Sequence, residues 1–472
     1  MKYNNLIRTI LLLGGILPAG IPLAAQETSL TLTLEDCRQM AASRSSKATD
    51  ASLDVLAAKY QKQEAQSEYF PRVSAVSFGF HSLDPMLKIG VTDIVGKNDF
   101  GYNLQEALSA LAGEYGFRPY YSALQHGWGA SVSVMQPIYA GGRIVTGNRL
   151  ASLGVKAAEL KRGLSTREID AQTDEYYWQT VSLEEKLTTL EGFKELLDTL
   201  CKDADAAYSA GLLTRSELLK ASLKRSELLT GEVKLRSGIR LSKMNLLDAI
   251  GQPYCVISAN ATESKPYIDS IKILTPLGMP ESPEGLYADE EAVAASLEES
   301  ELLALQLEAG RLEKRMEMGA ALPELAIGAS YGYSDLFNGG RFNGTAFAML
   351  KIPISDWWKT SRKMKRLDIQ LEKTRADNDH LRSQLVLMVR KQWIDLSSAW
   401  DSYQLSLDAV RTAQAALDDA ESNWSAGLVP LSDVLEAQAA LRQEKNSSID
   451  SLAEYRKALR SWKDISYIRG DK

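Results

Sequence analysis

The sequence predicts a mainly α-helical chain with a small β component, built from two structural repeats. Three observations support this fold class. A pattern of residues around a glycine recurs at an offset of 216 residues, and two long stretches lack proline. Four segments of about 10 residues alternate between larger apolar side chains and small or polar ones. The repeat indicates two equivalent structural units, each of which cannot bury its own apolar face alone.

The repeat is clearest around two glycines. The segment around Gly211 returns around Gly427, and Pro137 returns as Pro353. Each proline precedes its glycine by 74 positions, so the two copies align here without an insertion. We therefore expect the same order of elements in both halves: helix, two strands, long helix, turn and helix.

The N-terminus predicts export from the cytoplasm. Lys2 and Arg8 precede an apolar run that ends near Ala25, as is typical of a secretory signal peptide. We expect cleavage after Ala25, which assigns residues 1–25 to the signal. Its removal takes away two of the 54 basic residues and none of the 61 acidic ones, leaving a net charge of −9. Such an acidic chain argues against nucleic acid as a partner.

The chain offers no residue pattern for catalysis or for a cofactor. Its cysteines, Cys37, Cys201 and Cys255, are odd in number and widely spaced, which indicates neither a disulfide framework nor a metal cluster. The three histidines show no ligand spacing, and no Ser-His-Asp set or phosphate-binding loop can be assembled. We expect a protein that is not an enzyme and needs no cofactor.

Four segments have the length and alternation of tilted strands in an outer membrane. They are residues 71–80, 127–137, 324–333 and 344–354. In the second, Val132 and Val134 face one way, while Ser131 and Ser133 face the other. Soluble hairpins would explain either pair of segments taken alone, but both pairs interrupt helical stretches at equivalent places.

Aromatic residues near the ends of these segments match two interfacial girdles. One set is Phe70, Tyr139, Trp357 and Trp358, and the other is Phe80, Trp128, Tyr333 and Phe337.

Two helices should be unusually long. The stretches 142–209 and 358–425 lack proline, and a helix of that length extends about 100 Å. A 3,4 spacing of apolar residues from Trp393 to Trp424 forms a seam of the coiled-coil kind. Shorter helices should flank the long ones, and they are predicted over 33–68, 214–250, 287–319 and 430–466.

Short motifs recur at equivalent places in both repeats. They are the turns Ala210-Gly211-Leu212 and Ala426-Gly427-Leu428, the junctions Phe70-Pro71 and Leu322-Pro323, and the starts of the long helices, Gln136-Pro137-Ile138-Tyr139 and Ile352-Pro353-Ile354-Ser355. Each motif is weak alone, but the set in this order resembles the TolC family of outer-membrane efflux channels. The resemblance covers nearly the whole chain after the signal peptide.

The resemblance implies a homotrimer in the outer membrane of a Gram-negative bacterium. Each chain would give four strands to a 12-stranded β-barrel, which continues as an α-helical tunnel through the periplasm. The implied partners are a periplasmic adaptor, an inner-membrane pump of the RND or ABC type, and outer-membrane lipid, in efflux or type I secretion. Four strands alone would leave unpaired edges in lipid, so an oligomer also follows from physics. The alternative is a periplasmic coiled-coil scaffold that never enters the membrane.

Two segments lie outside the matched parts of the repeats. The proline-rich stretch 251–286 is predicted to be a linker around the tunnel at mid-height, between a first repeat over 26–250 and a second over 287–472. The first hairpin loop, residues 82–127, carries 36 more residues than its counterpart. We expect a solvated loop there rather than a folded cap over the pore, because outer loops vary freely.

The resemblance assigns the two glycine turns, residues 210–212 and 426–428, to a periplasmic tip that docks the adaptor. Glycine there also has a structural explanation, since a tight turn between helices often needs a positive φ. Both roles can hold together.

The resemblance also places an acidic ring at the tunnel entrance. Asp433 and Glu436, three residues apart on one helical face, match its positions. Glu217 matches an acidic position of the other copy, and an ordinary surface carboxylate is an equal alternative for it. Trp424 and Val429 depart from the family, whose tyrosine and arginine lock the closed entrance by polar contacts. Any lock here must be built differently.

Overall fold

The computed structural model describes residues 30–260, 262, 264–274, 280–335 and 339–466. The predicted signal peptide and Phe337 of the aromatic sets lie outside these residues. The described chain is mainly α-helical, with one four-stranded sheet and two small two-stranded ones. No helix in this part of the chain is long and apolar enough to cross a membrane.

The first repeat runs from an N-terminal strand to the helix before the linker. Its elements are β1 (Thr31–Leu32), α1 (Leu34–Arg44), α2 (Ser46–Ser67), β2 (Arg72–His81), β3 (Leu87–Gly90), α3 (Val91–Val95), α4 (Asp99–Tyr115), β4 (Tyr120–Ala123), β5 (His126–Ala140), α5 (Arg143–Ser209) and α6 (Arg215–Ala249).

The linker and the second repeat follow. Their elements are β6 (Lys272–Ile273), α7 (Glu290–Ser296), α8 (Glu298–Gly319), β7 (Glu324–Asp335), β8 (Arg341–Lys351), α9 (Asp356–Ser425) and α10 (Leu431–Ser466). Within the linker, β6 pairs in parallel with β1, so the start of the described chain is tied to the segment between the repeats.

The first helix of each repeat is divided in two, where the sequence predicted single helices over 33–68 and 287–319. At Ser45 the backbone is extended, with ψ 148°, and the Ser45 hydroxyl caps α2 by accepting from the Ala48 amide at 3.2 Å. At Leu297 the backbone is again extended, with ψ 146°. Each break lies 26 positions before the proline that ends the helical segment, Pro71 or Pro323, so the repeat includes the break.

The two long helices organise the rest of the fold. α5 has 67 residues and α9 has 70, so each extends about 100 Å. The first part of α5 packs against α2 and α8, and its second part packs against α6 and α10. Two shorter helices therefore follow one another along each side of a long helix.

The sheet has the order β2-β5-β7-β8, and all its neighbours are antiparallel. Strands from the two repeats meet in the middle, where β5 pairs with β7. The outer strands β2 and β8 each have one edge without a strand partner in the described chain. An edge of this kind presents a row of unpaired amide and carbonyl groups.

The two faces of the sheet differ in polarity. Val132 lies opposite Ala75 on β2 and Tyr331 on β7, and its side chain is exposed. On the other face, Ser133 lies opposite Ser74, and their hydroxyl oxygens are 2.8 Å apart. This is the division of faces that the alternation in β5 predicted, although on β2 the apolar Val76 and Phe78 lie on the serine face.

The segment between β2 and β5 is a folded unit, which corrects the expectation of a solvated loop. β3 and β4 form an antiparallel hairpin, and the 17-residue helix α4 lies between them in sequence. Asn98 caps the start of α4 by accepting from the Gly101 amide at 2.8 Å, and Gly116 ends it with φ +73°. Asn98 and Gly116 are the sequence signals for the two ends of this helix.

Candidate functional site

The two glycine turns have the same backbone geometry. Gly211 has φ +76° and Gly427 has φ +75°. In each turn the glycine amide donates to the carbonyl three residues earlier, and the next amide, from Leu212 or Leu428, donates to the carbonyl five residues earlier, at 2.8–2.9 Å. This pair of bonds is the Schellman motif, which ends a helix and reverses the chain. Ala210 and Ala426 close their helices just before the glycines.

The turns present apolar side chains to solvent. Leu212 is 82% exposed and Leu428 is 74% exposed. Behind them lies a buried group that we call the tip cluster, made of Leu190, Phe193, Leu197, Leu200, Ala204, Ala221, Leu228, Leu417, Leu431, Val434, Leu435 and Leu441. The cluster joins α5, α6, α9 and α10, so it fixes the two turns relative to each other.

Asp433 and Glu436 lie on the outer side of this packing. Both are exposed, whereas Val434 and Leu435 between them are buried in the tip cluster. Ser432 donates a hydrogen bond to Asp433 at 3.3 Å. Within the described residues neither carboxylate has a salt-bridge partner, so both charges are available to an ion or to another chain.

Glu217 has a structural partner that sequence reasoning missed. Its carboxylate accepts from the Thr214 hydroxyl at 2.7 Å and from the Thr214 amide at 3.1 Å, while the Thr214 hydroxyl accepts from the Glu217 amide at 3.3 Å. This is a capping box at the start of α6. The hydrogen bonds from the Thr214 side chain and then its backbone lower the pKa of Glu217. The Thr-x-x-Glu spacing was the available signal.

The positions that depart from the family have apolar roles. Trp424 packs against the tip cluster. Val429 is half-buried in the turn. In the described residues neither side chain forms a polar lock, and Trp424 contributes apolar packing to this end of the chain.

Sequence reasoning also missed a buried ion pair near the middle of α5. Arg38 on α1 donates to both carboxylate oxygens of Asp174 on α5, at 2.7 and 2.5 Å, and Arg460 on α10 lies 3.9 Å from the same carboxylate. Burial raises the pKa of the nearby Asp170 and Asp464. Breaking such a pair typically costs several kcal/mol, about 3–5. These charged side chains therefore connect α1 and α5 of the first repeat with α10 of the second. No local pattern in the sequence predicts this contact.

No group of three or more His, Cys, Asp or Glu side chains in the described ranges is placed to hold a metal ion.

Residues 301–462 match the family described as Outer membrane efflux protein, a family of transport channels. No curated protein matches the sequence. The matched segment runs from α8 to α10 and contains the sheet strands β7 and β8, the helix α9, the second glycine turn and both carboxylates of the predicted ring.

Solved outer-membrane channels share the fold over most of the chain. The CmeC outer membrane channel of Campylobacter jejuni superposes with a TM-score of 0.72 at 12% identity, over 93% of this chain and 87% of CmeC. The open-state MtrE channel of Neisseria gonorrhoeae gives 0.69 at 13% identity, over 92% and 88%. The outer membrane protein VceC of Vibrio cholerae gives 0.67 at 13% identity, over 92% and 95%. With this fold and the match over residues 301–462, the resemblance to TolC-type outer-membrane efflux proteins is confirmed.

Proposed function

We propose that the chain is the outer-membrane exit duct of a tripartite efflux system or a type I secretion system, acting in transport and not in catalysis. One observation carries the proposal: in the described chain, a four-stranded sheet whose outer strands each have one edge without a strand partner continues into helices about 100 Å long. Backbone groups at a sheet edge must be paired in lipid, so the outer strands need partners from other chains. With three chains, β8 of one protomer would pair with β2 of the next in a 12-stranded barrel.

An apolar stripe on α9 supports the trimer. Ile369, Leu387, Ile394 and Leu405 are exposed in the single chain. Their separations of 18, 7 and 11 residues are each close to a whole number of helical turns, so the four side chains lie on one face. A stripe of this length in water favours burial against a neighbouring protomer.

The glycine turns are proposed to dock a periplasmic adaptor, which would in turn contact an inner-membrane pump of the RND or ABC type. The observation in favour is the exposed pair Leu212 and Leu428 on two turns of equal geometry. A helical hairpin of the adaptor would cover these leucines.

Asp433 and Glu436 are proposed to form the acidic ring at the tunnel entrance. Three-fold symmetry would bring six carboxylates together, which disfavours full ionisation and favours bound cations. Both carboxylates are exposed, and among the described residues neither has a salt-bridge partner, which supports this role. Glu217 is a weaker member, since its carboxylate is engaged by Thr214.

The periplasmic scaffold remains the second candidate, favoured only by the long helices. It gives no reason for the exposed apolar face of the sheet at Val132 and Val134, or for the exposed Tyr139 and Trp358 near the sheet end. The membrane-inserted duct accounts for both features.

Fractionation separates the two candidates. We expect heat-modifiable, SDS-resistant trimers in the outer-membrane fraction, and ion conductance after reconstitution into planar bilayers. A soluble periplasmic pool without conductance would favour the scaffold. Loss of export on deletion of the gene, with the pump and adaptor still present, would then identify the transport pathway.

A further inference from the structure

The folded unit between β2 and β5 lies at the end of the sheet opposite the long helices. It comprises the 44 residues from 82 to 125, and the Ser82 amide donates to the Gln125 carbonyl at 2.7 Å where the unit leaves the hairpin. We call it the outer unit. The equivalent connection in the second repeat, between β7 and β8, is short, so the outer unit has no counterpart there.

Helix α4 of the outer unit has one broad apolar face, part of which is covered. The covered part carries the buried Gly101 and Ala112, with Leu104 and Leu108 half-buried between them. It packs within the unit, against α3 among others.

The rest of this apolar face is uncovered in the single chain. Phe100 is 68% exposed, Leu111 46% and Tyr115 72%, and their spacing places them on one side of the helix. Exposed Leu83 and Ile94 enlarge the apolar surface of the unit. Large apolar side chains exposed together on one side of a helix, on a folded unit in water, indicate an interaction site.

We propose that the three outer units of a trimer pack against one another through this face of α4 and form a cap over the outer opening of the barrel. The inference rests on the trimeric barrel proposed above. It commits to a second copy of the chain as the occupant of the apolar face.

The size of the unit supports contact between copies. Twelve strands about 4.8 Å apart and tilted by about 40° close into a cylinder of roughly 12 Å radius. Equivalent points on its rim are then about 21 Å apart. A folded segment of 44 residues has a radius of gyration of about 9 Å, and hence a diameter near 24 Å. Three such units on one rim are wide enough to touch.

Tethering favours the same partner. The outer unit is joined to β2, which is an outer strand of the sheet and would adjoin the next protomer. Three units held on one rim meet at an effective concentration that a separate soluble partner rarely reaches. Apolar faces held so close associate at little further entropic cost.

Site-specific photocrosslinking in intact cells tests the proposal. The photoreactive p-benzoylphenylalanine replaces Phe100 or Tyr115, both aromatic, so the outer unit should fold in each variant. The control carries it at Glu106, which is exposed on the other side of α4. After irradiation and full denaturation, we expect crosslinked dimers and trimers of the chain from positions 100 and 115, and none from 106.

A second variant tests whether crosslinking depends on the apolar contact between the outer units. Adding Leu111→Lys places three like charges in the proposed contact, and the crosslinked fraction from position 100 should fall at least tenfold while heat-modifiable trimers persist. Trimers that persist with no chain-to-chain crosslink from 100 or 115, or with crosslinks only to a different protein, overturn the cap and leave the trimer standing. If the unmodified chain is monomeric in the membrane fraction, the proposed function fails and the cap fails with it.

Discussion

Replacing Val132 with arginine tests which face of the sheet meets lipid. Val132 is exposed, between Ala75 and Tyr331 in the strand register. An arginine on the lipid face near the middle of the membrane costs about 2–4 kcal/mol. A trimer carries three copies, so the total is about 6–12 kcal/mol. That matches the whole stability of a typical domain, about 5–15 kcal/mol, and few trimers should assemble.

Ser131 supplies the matched control. It is the adjacent residue on the same strand, and its side chain points to the opposite, more polar face. Ser131→Arg adds the same charge at almost the same depth, but toward the lumen, where water can solvate it. We expect this variant to assemble at close to the normal level and to conduct ions with altered selectivity.

The assay is the yield of heat-modifiable trimers in the outer-membrane fraction, with expression matched by immunoblotting after full denaturation. Normal insertion of Val132→Arg together with failure of Ser131→Arg would show that the two faces are assigned the wrong way round. Failure of both variants would indicate that neither face meets a solvated lumen, which would refute the barrel.

Three further predictions concern the tip and the core. Gly427→Val forces a β-branched residue to φ +75°, at a cost of about 1–3 kcal/mol. Export should be lost while the yield of trimers is unchanged. Loss of trimers in parallel with loss of export would show that Gly427 has a purely structural role. Replacing both Asp433 and Glu436 with alanine should weaken the cation preference of the channel and relieve its block by multivalent cations. Unchanged reversal potentials under a salt gradient would show that the two carboxylates are ordinary surface charges. Burial raises the pKa of Cys37 to about 12, so at pH 8 only about one Cys37 thiol in 10⁴ is ionised. Mass spectrometry of the folded chain should therefore find alkylation at Cys201 before Cys37. Equal alkylation rates at the two cysteines would contradict the burial of Cys37.

The main elements were predictable because each is marked by a sequence pattern that extends over many residues. The 74-residue spacing between Pro137 and Gly211 is repeated between Pro353 and Gly427, and both long helices fill these intervals. Pro353 follows the end of β8, Pro137 lies three residues before the end of β5, and glycine marks where each long helix turns. Alternation over about 10 residues then places Val132 and Ser131 on opposite faces without any knowledge of the tertiary fold.

The features that sequence reasoning missed are marked by short sequence patterns or by none. The break at Ser45 has a capping hydroxyl, but the equivalent break at Leu297 has no such cap, so no common motif marks the two. The pairing of β1 with β6 involves two residues on each side, too few for any periodicity. The ion pair of Arg38 with Asp174 joins residues 136 positions apart, and only the packing of α1 on α5 brings them together.

Glu217 is the residue for which sequence reasoning left two roles open. The capping box favours the structural role, because its carboxylate already accepts two hydrogen bonds from Thr214. Thr214→Ala removes the hydroxyl from the box and should destabilise the start of α6 by about 1 kcal/mol. Faster hydrogen exchange of the amides from Arg215 to Leu218 would measure this loss. The amides of α8, which packs against the first part of α5, serve as the internal control.

The pH dependence of that protection separates the two roles of Glu217 further. Its folded pKa lies below the ordinary value of 4.5, so its carboxylate stabilises the cap fully above that pH. The stabilisation is lost as pH falls through the lowered pKa. Glu217→Gln should therefore weaken protection at pH 7 and make it less dependent on pH in the acidic range. Because the carboxylate is engaged by Thr214, Glu217→Ala should change the reversal potential less than Asp433→Ala does. An equal change in both would place Glu217 in the acidic ring and make the capping box secondary.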